Sequence, residues 1–182
     1  MLSELQKKKL THFFQVFDTD KNGTLERSDF DRIVSNLAEA YNLTQDSETY
    51  QYFSSTYSKR WEDLAKEADT NADNKVSLEE WLSYQDKLTN DSNSNFLWVK
   101  IASSFFDIQD KDKDGAISLE EYKVLYRVHR IGDDSLAAEI FAKLDFDGDG
   151  KIMKSDYLNL SADFYWSNNP QSPGNLFFGF YE

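Results

Sequence analysis

Oxygen-bearing side chains recur at alternate positions inside four twelve-residue windows of this chain: Asp18–Asp29, Asp69–Glu80, Asp110–Glu121 and Asp145–Asp156. Carboxylate, amide and backbone carbonyl oxygens are hard donors. Held together in a tight turn, they can replace the hydration shell of a hard divalent cation. The third window, DKDKDGAISLEE, is the most regular. Asp110, Asp112 and Asp114 stand at positions 1, 3 and 5, and Gly115 at 6 allows a sharp turn. Ala116 offers its carbonyl at position 7, Ser118 is suited to hold a water at 9, and Glu121 can close the site with two oxygens at 12.

The other windows vary this pattern. The first, DTDKNGTLERSD, supplies Asp18, Asp20, Asn22 and the Thr24 carbonyl, with Gly23 at 6 and Glu26 at 9, and ends in Asp29. The second supplies Asp69, Asn71, Asp73, the Lys75 carbonyl and Glu80, with Asn74 in place of the turn glycine. Asn enters the left-handed region more readily than other non-glycine residues, so the turn remains feasible there. The fourth supplies Asp145, Asp147, Asp149, the Lys151 carbonyl and Asp156, with Gly150 at the turn. This spacing is that of the EF-hand calcium loop.

One Asp-x-Asp run would equally be a helix cap or a surface turn. Position 8 separates the two readings. It is Leu25, Val76, Ile117 and Ile152 in the four windows. A solvated acidic turn has no reason to repeat an aliphatic residue, whereas a strand bridging two paired loops does.

The elements that must hold these loops are helices. Before the first loop Leu10, Phe13, Phe14 and Phe17 follow a helical period, and Ser3 with Gln6 forms a capping box. After it come Phe30, Ile33, Val34, Leu37 and Tyr41, and a longer helix carries Tyr50, Phe53, Tyr57, Trp61, Leu64 and Ala68 into the second loop. Ser77 with Glu80, and Ser118 with Glu121, open the helices that leave loops two and three. Further stripes at Trp81, Tyr84 and Leu88, and at Trp98, Ile101, Ala102 and Phe105, are read as core packing rather than as a ligand pocket.

The expected fold is all-α: four EF-hands in two pairs packed into one compact body, with short β-bridges between paired loops. The first pair takes residues 1–91 and the second residues 92–182, the latter with an aromatic tail over 164–182. Loops one and two start about fifty residues apart and loops three and four about thirty-five, so the first pair carries an enlarged connection over Asn42–Ser58. A polar turn over Thr89–Asn95 joins the pairs. The tail, with Pro170 and Pro173 in its turn, is expected to fold back into the cleft between the halves rather than stay exposed.

Composition narrows the function. At 182 residues with 40% hydrophobic and 15% aromatic content, the chain can build a sizeable core. A formal charge of −13 opposes nucleic-acid binding. No apolar run is long enough to span a membrane. The N-terminal lysines are followed by no apolar stretch, so no signal peptide is expected and the cytoplasm is the default. Cysteine is absent, and no nucleophile motif, phosphate-binding glycine loop or zinc signature appears, so no enzymatic activity is expected.

The segments KRWEDLAKEADTNADNKVSLEEWLSYQDKL and FFDIQDKDKDGAISLEEY, and the tail PGNLFFG, resemble the invertebrate sarcoplasmic calcium-binding proteins and calexcitin. That resemblance implies a compact cytosolic protein that buffers calcium or, on the calexcitin side, signals with it to a protein target; a monomer is expected. The residues favour the buffer. Adaptable sensor grooves are Met-rich, and this chain has 2 Met against 14 Phe, 10 Tyr and 4 Trp. Up to four Ca²⁺ are expected, with Mg²⁺ competing at loops 18–29 and 145–156, whose closing Asp is shorter than Glu. Four Ca²⁺ would bring the charge to about −5, so the metal-free chain is expected to be looser. A third reading is a calcium-regulated carrier of an apolar ligand, of the coelenterazine-binding type. It gains no support from His12 and His129, the only histidines, since no His-Trp-Tyr cluster is legible around them.

Overall fold

The computed structural model describes residues 1–91 and 94–181, and side chains except those of residues 92–96 and 182. Helices α1 (Glu4–Phe17), α2 (Arg27–Ala40), α3 (Glu48–Ala68) and α4 (Leu78–Asn90) make the first half; α5 (Ser94–Gln109), α6 (Leu119–His129), α7 (Asp134–Leu144) and α8 (Lys154–Trp166) make the second. The centre of the polar turn expected over Thr89–Asn95 lies outside the described residues.

The helix starts follow from local chemistry. Ser3, Ser77 and Ser118 each accept a hydrogen bond from the third helical residue, and Gln6, Glu80 and Glu121 reach back to close the capping boxes. The enlarged connection differs from expectation. Only residues 42–47 are irregular. Asn42 turns the chain at φ 51°, Ser47 caps α3, and the rest of the insertion is taken up as extra turns of a 21-residue helix.

Two short antiparallel bridges tie the loops in pairs. In β1 (Thr24–Leu25) and β2 (Val76–Ser77), Leu25 faces Val76. In β3 (Ala116–Ser118) and β4 (Lys151–Met153), Ile117 faces Ile152. All four position-8 residues are buried, at 0–2% exposure, so each bridge is pinned from the core side.

Both halves contribute to one core. Phe13 on α1 meets Phe17, Trp81, Phe164 and Tyr165 at ring-centroid distances of 5.1–5.9 Å. Asn36 on α2 donates to the Val128 carbonyl on α6 at 2.8 Å, and the Trp81 indole donates to the Leu10 carbonyl at 2.9 Å. The tail folds back as expected. A 3₁₀ turn over Pro173–Leu176 leads Phe177 and Phe178 into the seam between α1 and the second half, and Phe178 stacks on Phe13 at 4.2 Å. Lys9, fully buried on α1, secures this arrangement through the Asp163 and Ser167 carbonyls at the end of α8 (3.2 and 2.9 Å) and the Asn175 amide oxygen (2.9 Å). An ammonium at the negative end of a helix is favourable, although burial still lowers its pKa to about 8.

Most of the aromatic stripes pack as core. Six of these core rings, Phe13, Phe17, Phe30, Trp81, Trp98 and Phe105, also line a cleft of about 690 Å³ beside α3, α4, α5 and α8. No described helix is long and apolar enough to cross a membrane.

Candidate metal centres

Each acidic window forms a tight loop between two helices, and its first carboxylate organises the turn. Asp18 accepts from the backbone N–H groups of Asn22 and Gly23 at 3.1 and 2.9 Å. Asp69 does the same with Asp73 and Asn74, at 3.3 and 2.9 Å. Asp110 takes Asp114 and Gly115, both at 3.1 Å, and Asp145 takes Gly148 and Gly150 at 3.0 and 2.9 Å. Positions 3 and 5 continue the wrap. Asp20, Asn71, Asp112 and Asp147 accept from the amide of the residue at position 5; Asn22, Asp73, Asp114 and Asp149 accept from the amide at position 7. Each carboxylate keeps further lone pairs beside these amides.

The donor sets fit a hard cation. Carboxylate oxygens of Asp18, Asp20 and Asp29 lie within 4.8 Å of one another, as do those of Asp110, Asp112 and Asp114, and those of Asp145, Asp147 and Asp149. Loop two forms no such group among the described residues, although Asp69, Asp73 and Glu80 give it three carboxylates. Its turn is intact nonetheless: Asn74 adopts φ 63°, matching the positive φ of Gly23, Gly115 and Gly150. Thr24, Lys75, Ala116 and Lys151 all stand at the bridge strands or beside them, where position 7 must lie to turn its carbonyl toward the loop.

Position 12 separates the loops. Glu80 accepts from the Thr70 and Ser77 N–H groups at 3.0 Å each, which with the Ser77 hydroxyl holds its pKa down at about 2. Glu121 accepts from the Lys111 and Ser118 N–H groups, both at 2.8 Å. Asp29 reaches the equivalent groups despite its shorter chain, accepting from Thr19 at 3.0 Å and Glu26 at 2.9 Å. It does so fully buried, and that burial raises its pKa. Asp156 makes no hydrogen bond of this kind among the described residues, and α8 starts without a side-chain cap. Loops one and four share a closing residue but not a closing geometry.

The structure also places cations that the spacing of acidic residues does not reveal. Arg32 lies against loop one, 3.4 Å from both Asp20 and Asp29. Lys75, at position 7 of loop two, pairs with Glu26 of loop one at 2.9 Å, and Lys151, at position 7 of loop four, pairs with Asp114 of loop three at 2.6 Å. In both pairs the lysine of the even loop reaches across the bridge to a carboxylate of the odd loop. The available signal was lysine at position 7 in both even windows. Replacing Lys151 with Met is expected to tighten calcium binding at loop three a few-fold, the scale of an exposed ion pair. A competitive chelator titration checks this, and an unchanged or weaker affinity would refute the competition.

Models of the EF-hand domain pair match residues 7–85 and 129–163, and a model of the single EF hand matches residues 101–126. Calerythrin of Saccharopolyspora erythraea is 24% identical over 169 residues, spanning 91% of this chain and 95% of its own. Sarcoplasmic calcium-binding proteins I, III and IV of Branchiostoma lanceolatum are 28% identical over 127 residues, 67% of this chain and 69% of theirs. A solved amphioxus sarcoplasmic calcium-binding protein superposes with a TM-score of 0.75 at 22% identity, covering 99% of each chain. The coelenterazine-binding protein of Renilla muelleri gives 0.77 at 24% identity, covering 98% of this chain and 99% of its own.

Proposed function

The chain is an EF-hand calcium-binding protein of the sarcoplasmic calcium-binding protein and calerythrin family, and on that premise we propose that it works as a monomeric cytoplasmic buffer of Ca²⁺ and Mg²⁺. The carrying observation is a closed aromatic body whose four loops are already folded. The tail fills the seam between the halves, with Phe177 and Phe178 at 2% and 5% exposure. Both methionines are exposed. Opening a target surface in the manner of a Met-rich sensor would require the Phe13–Phe178 stack to part.

Loops one and four, closed by Asp, are the sites at which Mg²⁺ competes. The buried, fully hydrogen-bonded Asp29 supports a tighter site in loop one than the unanchored Asp156 supports in loop four. A coelenterazine-type reading draws no support from the histidines. His12 pairs with the Phe178 carbonyl at 2.9 Å, His129 is buried against Val16, and neither lines the large cleft.

Calorimetric Ca²⁺ titration with and without millimolar Mg²⁺, read beside a hydrophobic dye, tests the proposal. The buffer shows two of its sites weakened by Mg²⁺ and little dye response. Large calcium-induced dye binding would establish a calexcitin-like sensor instead.

A further inference from the structure

Asn22–Gly23 is the one asparagine–glycine step in the chain, and it falls at positions 5 and 6 of loop one. The backbone nitrogen after an asparagine can attack that residue's side-chain carbon and close a five-membered succinimide. Glycine hinders this least, since it brings no Cβ against the forming ring. Both residues are exposed, and no atom stands within 4 Å of the place a Gly23 side chain would take. The other loops differ at this step. Asp114–Gly115 and Asp149–Gly150 carry carboxylates, which resist a nucleophile when ionised, and Asp73 is followed by Asn74.

Hydrogen bonding around Asn22 favours the reaction. Its amide oxygen accepts from both the N–H and the hydroxyl of Thr24, at 2.8 and 2.7 Å. Negative charge gathers on that oxygen as a nucleophile adds to the side-chain carbon, and two fixed donors stabilise it there. Lys75, Ala116 and Lys151 hold position 7 in the other loops, so the hydroxyl is particular to loop one. The Asn22 amide nitrogen, which must leave, donates to Glu26 at 3.3 Å. One contact restrains the step: the Gly23 N–H donates to Asp18 at 2.9 Å. That bond must open before the nitrogen attacks, so the reaction belongs to moments when loop one loosens.

We propose that Asn22 is a self-modification site: metal-free loop one converts it through a succinimide to aspartate or isoaspartate, and metal binding at that loop suppresses the conversion. The Gly23 nitrogen bonds to the Asn22 side-chain carbon, and the bond from that carbon to the amide nitrogen breaks. The Gly23 proton passes through water to the amide nitrogen, which departs as ammonia. One water then opens the ring. Cleavage at the side-chain carbon yields aspartate, giving loop one carboxylates at positions 1, 3 and 5, as Asp110, Asp112 and Asp114 give loop three. Cleavage at the main-chain carbonyl yields isoaspartate, which adds a methylene to the backbone at the turn. Ageing without metal therefore splits the chain into a form with a more acidic loop one and a form with a broken one. The suppression rests on loop one being a metal site, since Asp18 and Asn22 are both candidate ligands there; the conversion itself does not.

The test incubates the full chain at neutral pH over several weeks, metal-free and with calcium. Peptide mapping by mass spectrometry follows amide-to-acid conversion at each asparagine. Asn22 is expected to convert faster than Asn42, Asn71 or Asn74 in the metal-free chain. Calcium at about ten times its dissociation constant for loop one is expected to slow Asn22 about ten-fold. Thr24→Val removes one of the two donors but keeps the backbone carbonyl, and should slow metal-free conversion about two- to ten-fold, the scale of one hydrogen bond. Conversion of Asn22 no faster than that of Asn42 would overturn the proposal. So would equal rates with and without calcium bound at loop one, or an unchanged rate in a folded Thr24→Val variant. Should that variant fail to fold, the wild-type comparisons decide alone. Fast conversion of Asn22 in a chain whose loop one takes no calcium would support the modification and contradict the metal reading of that loop.

Discussion

Glu121→Gln is expected to weaken calcium binding at loop three by about 100-fold or more while leaving the metal-free fold intact. The two halves of this expectation come from different properties of one side chain. Glu121 stands at the third position of α6, where its oxygens accept from Lys111 and Ser118. Gln also completes a capping box at this position, so α6 keeps its start. The metal requires something Gln lacks: a second anionic oxygen and the charge that offsets dehydration of the ion. Losing one or two charge-assisted contacts, each worth about 1.5–3 kcal/mol, gives the stated factor. Competitive chelator titration measures it, and circular dichroism of the metal-free variant checks the fold. An affinity within a few-fold of wild type would remove Glu121 from the ligand set.

Phe178→Ala is expected to destabilise the protein by about 3–5 kcal/mol, the usual cost of deleting a buried phenyl ring. The ring stacks on Phe13 at 4.2 Å and meets Phe164 and Phe177 edge-on at 5.0 and 4.9 Å. Its backbone is tied as well: His12 pairs with the Phe178 carbonyl, and the Tyr122 hydroxyl donates to the Phe177 carbonyl at 3.2 Å. The residue therefore joins α1 to the second half rather than covering a single helix. Urea unfolding of the calcium-loaded and metal-free forms measures the loss. A permanent plug predicts similar losses in both. A loss confined to the metal-free form would mean that calcium releases the tail.

How much of this was legible in the sequence depends on the range of each interaction. The loops and their caps are local. Asp110, Asp112, Asp114, Gly115 and Glu121 are arranged within twelve residues, and Ser118 with Glu121 within four, so spacing alone identified them. Position 8 was legible because an apolar residue in an acidic loop has a single use, and Leu25–Val76 and Ile117–Ile152 pair accordingly.

The cations Arg32, Lys75 and Lys151 were not legible as partners, because their carboxylates become neighbours only when a helix turn or a bridge brings them round. Asp29 and Asp156 are the same residue at the same loop position. Only the backbone path shows that one reaches the amides of Thr19 and Glu26 while the other anchors nothing comparable. The cleft escaped for a related reason. A helical stripe such as Trp98, Ile101 and Phe105 marks an inward face without showing whether the opposing face reaches it.

All four loops are expected to be metal sites, including the three with a substitution at the turn (Asn74) or the closing position (Asp29 and Asp156). Native mass spectrometry of the full chain through a Ca²⁺ titration addresses this most directly. Four Ca²⁺ bound specifically per chain at saturation is the expected result, with Asn74 serving as the turn residue of loop two and Asp156 completing loop four. Saturation at three or fewer would contradict it.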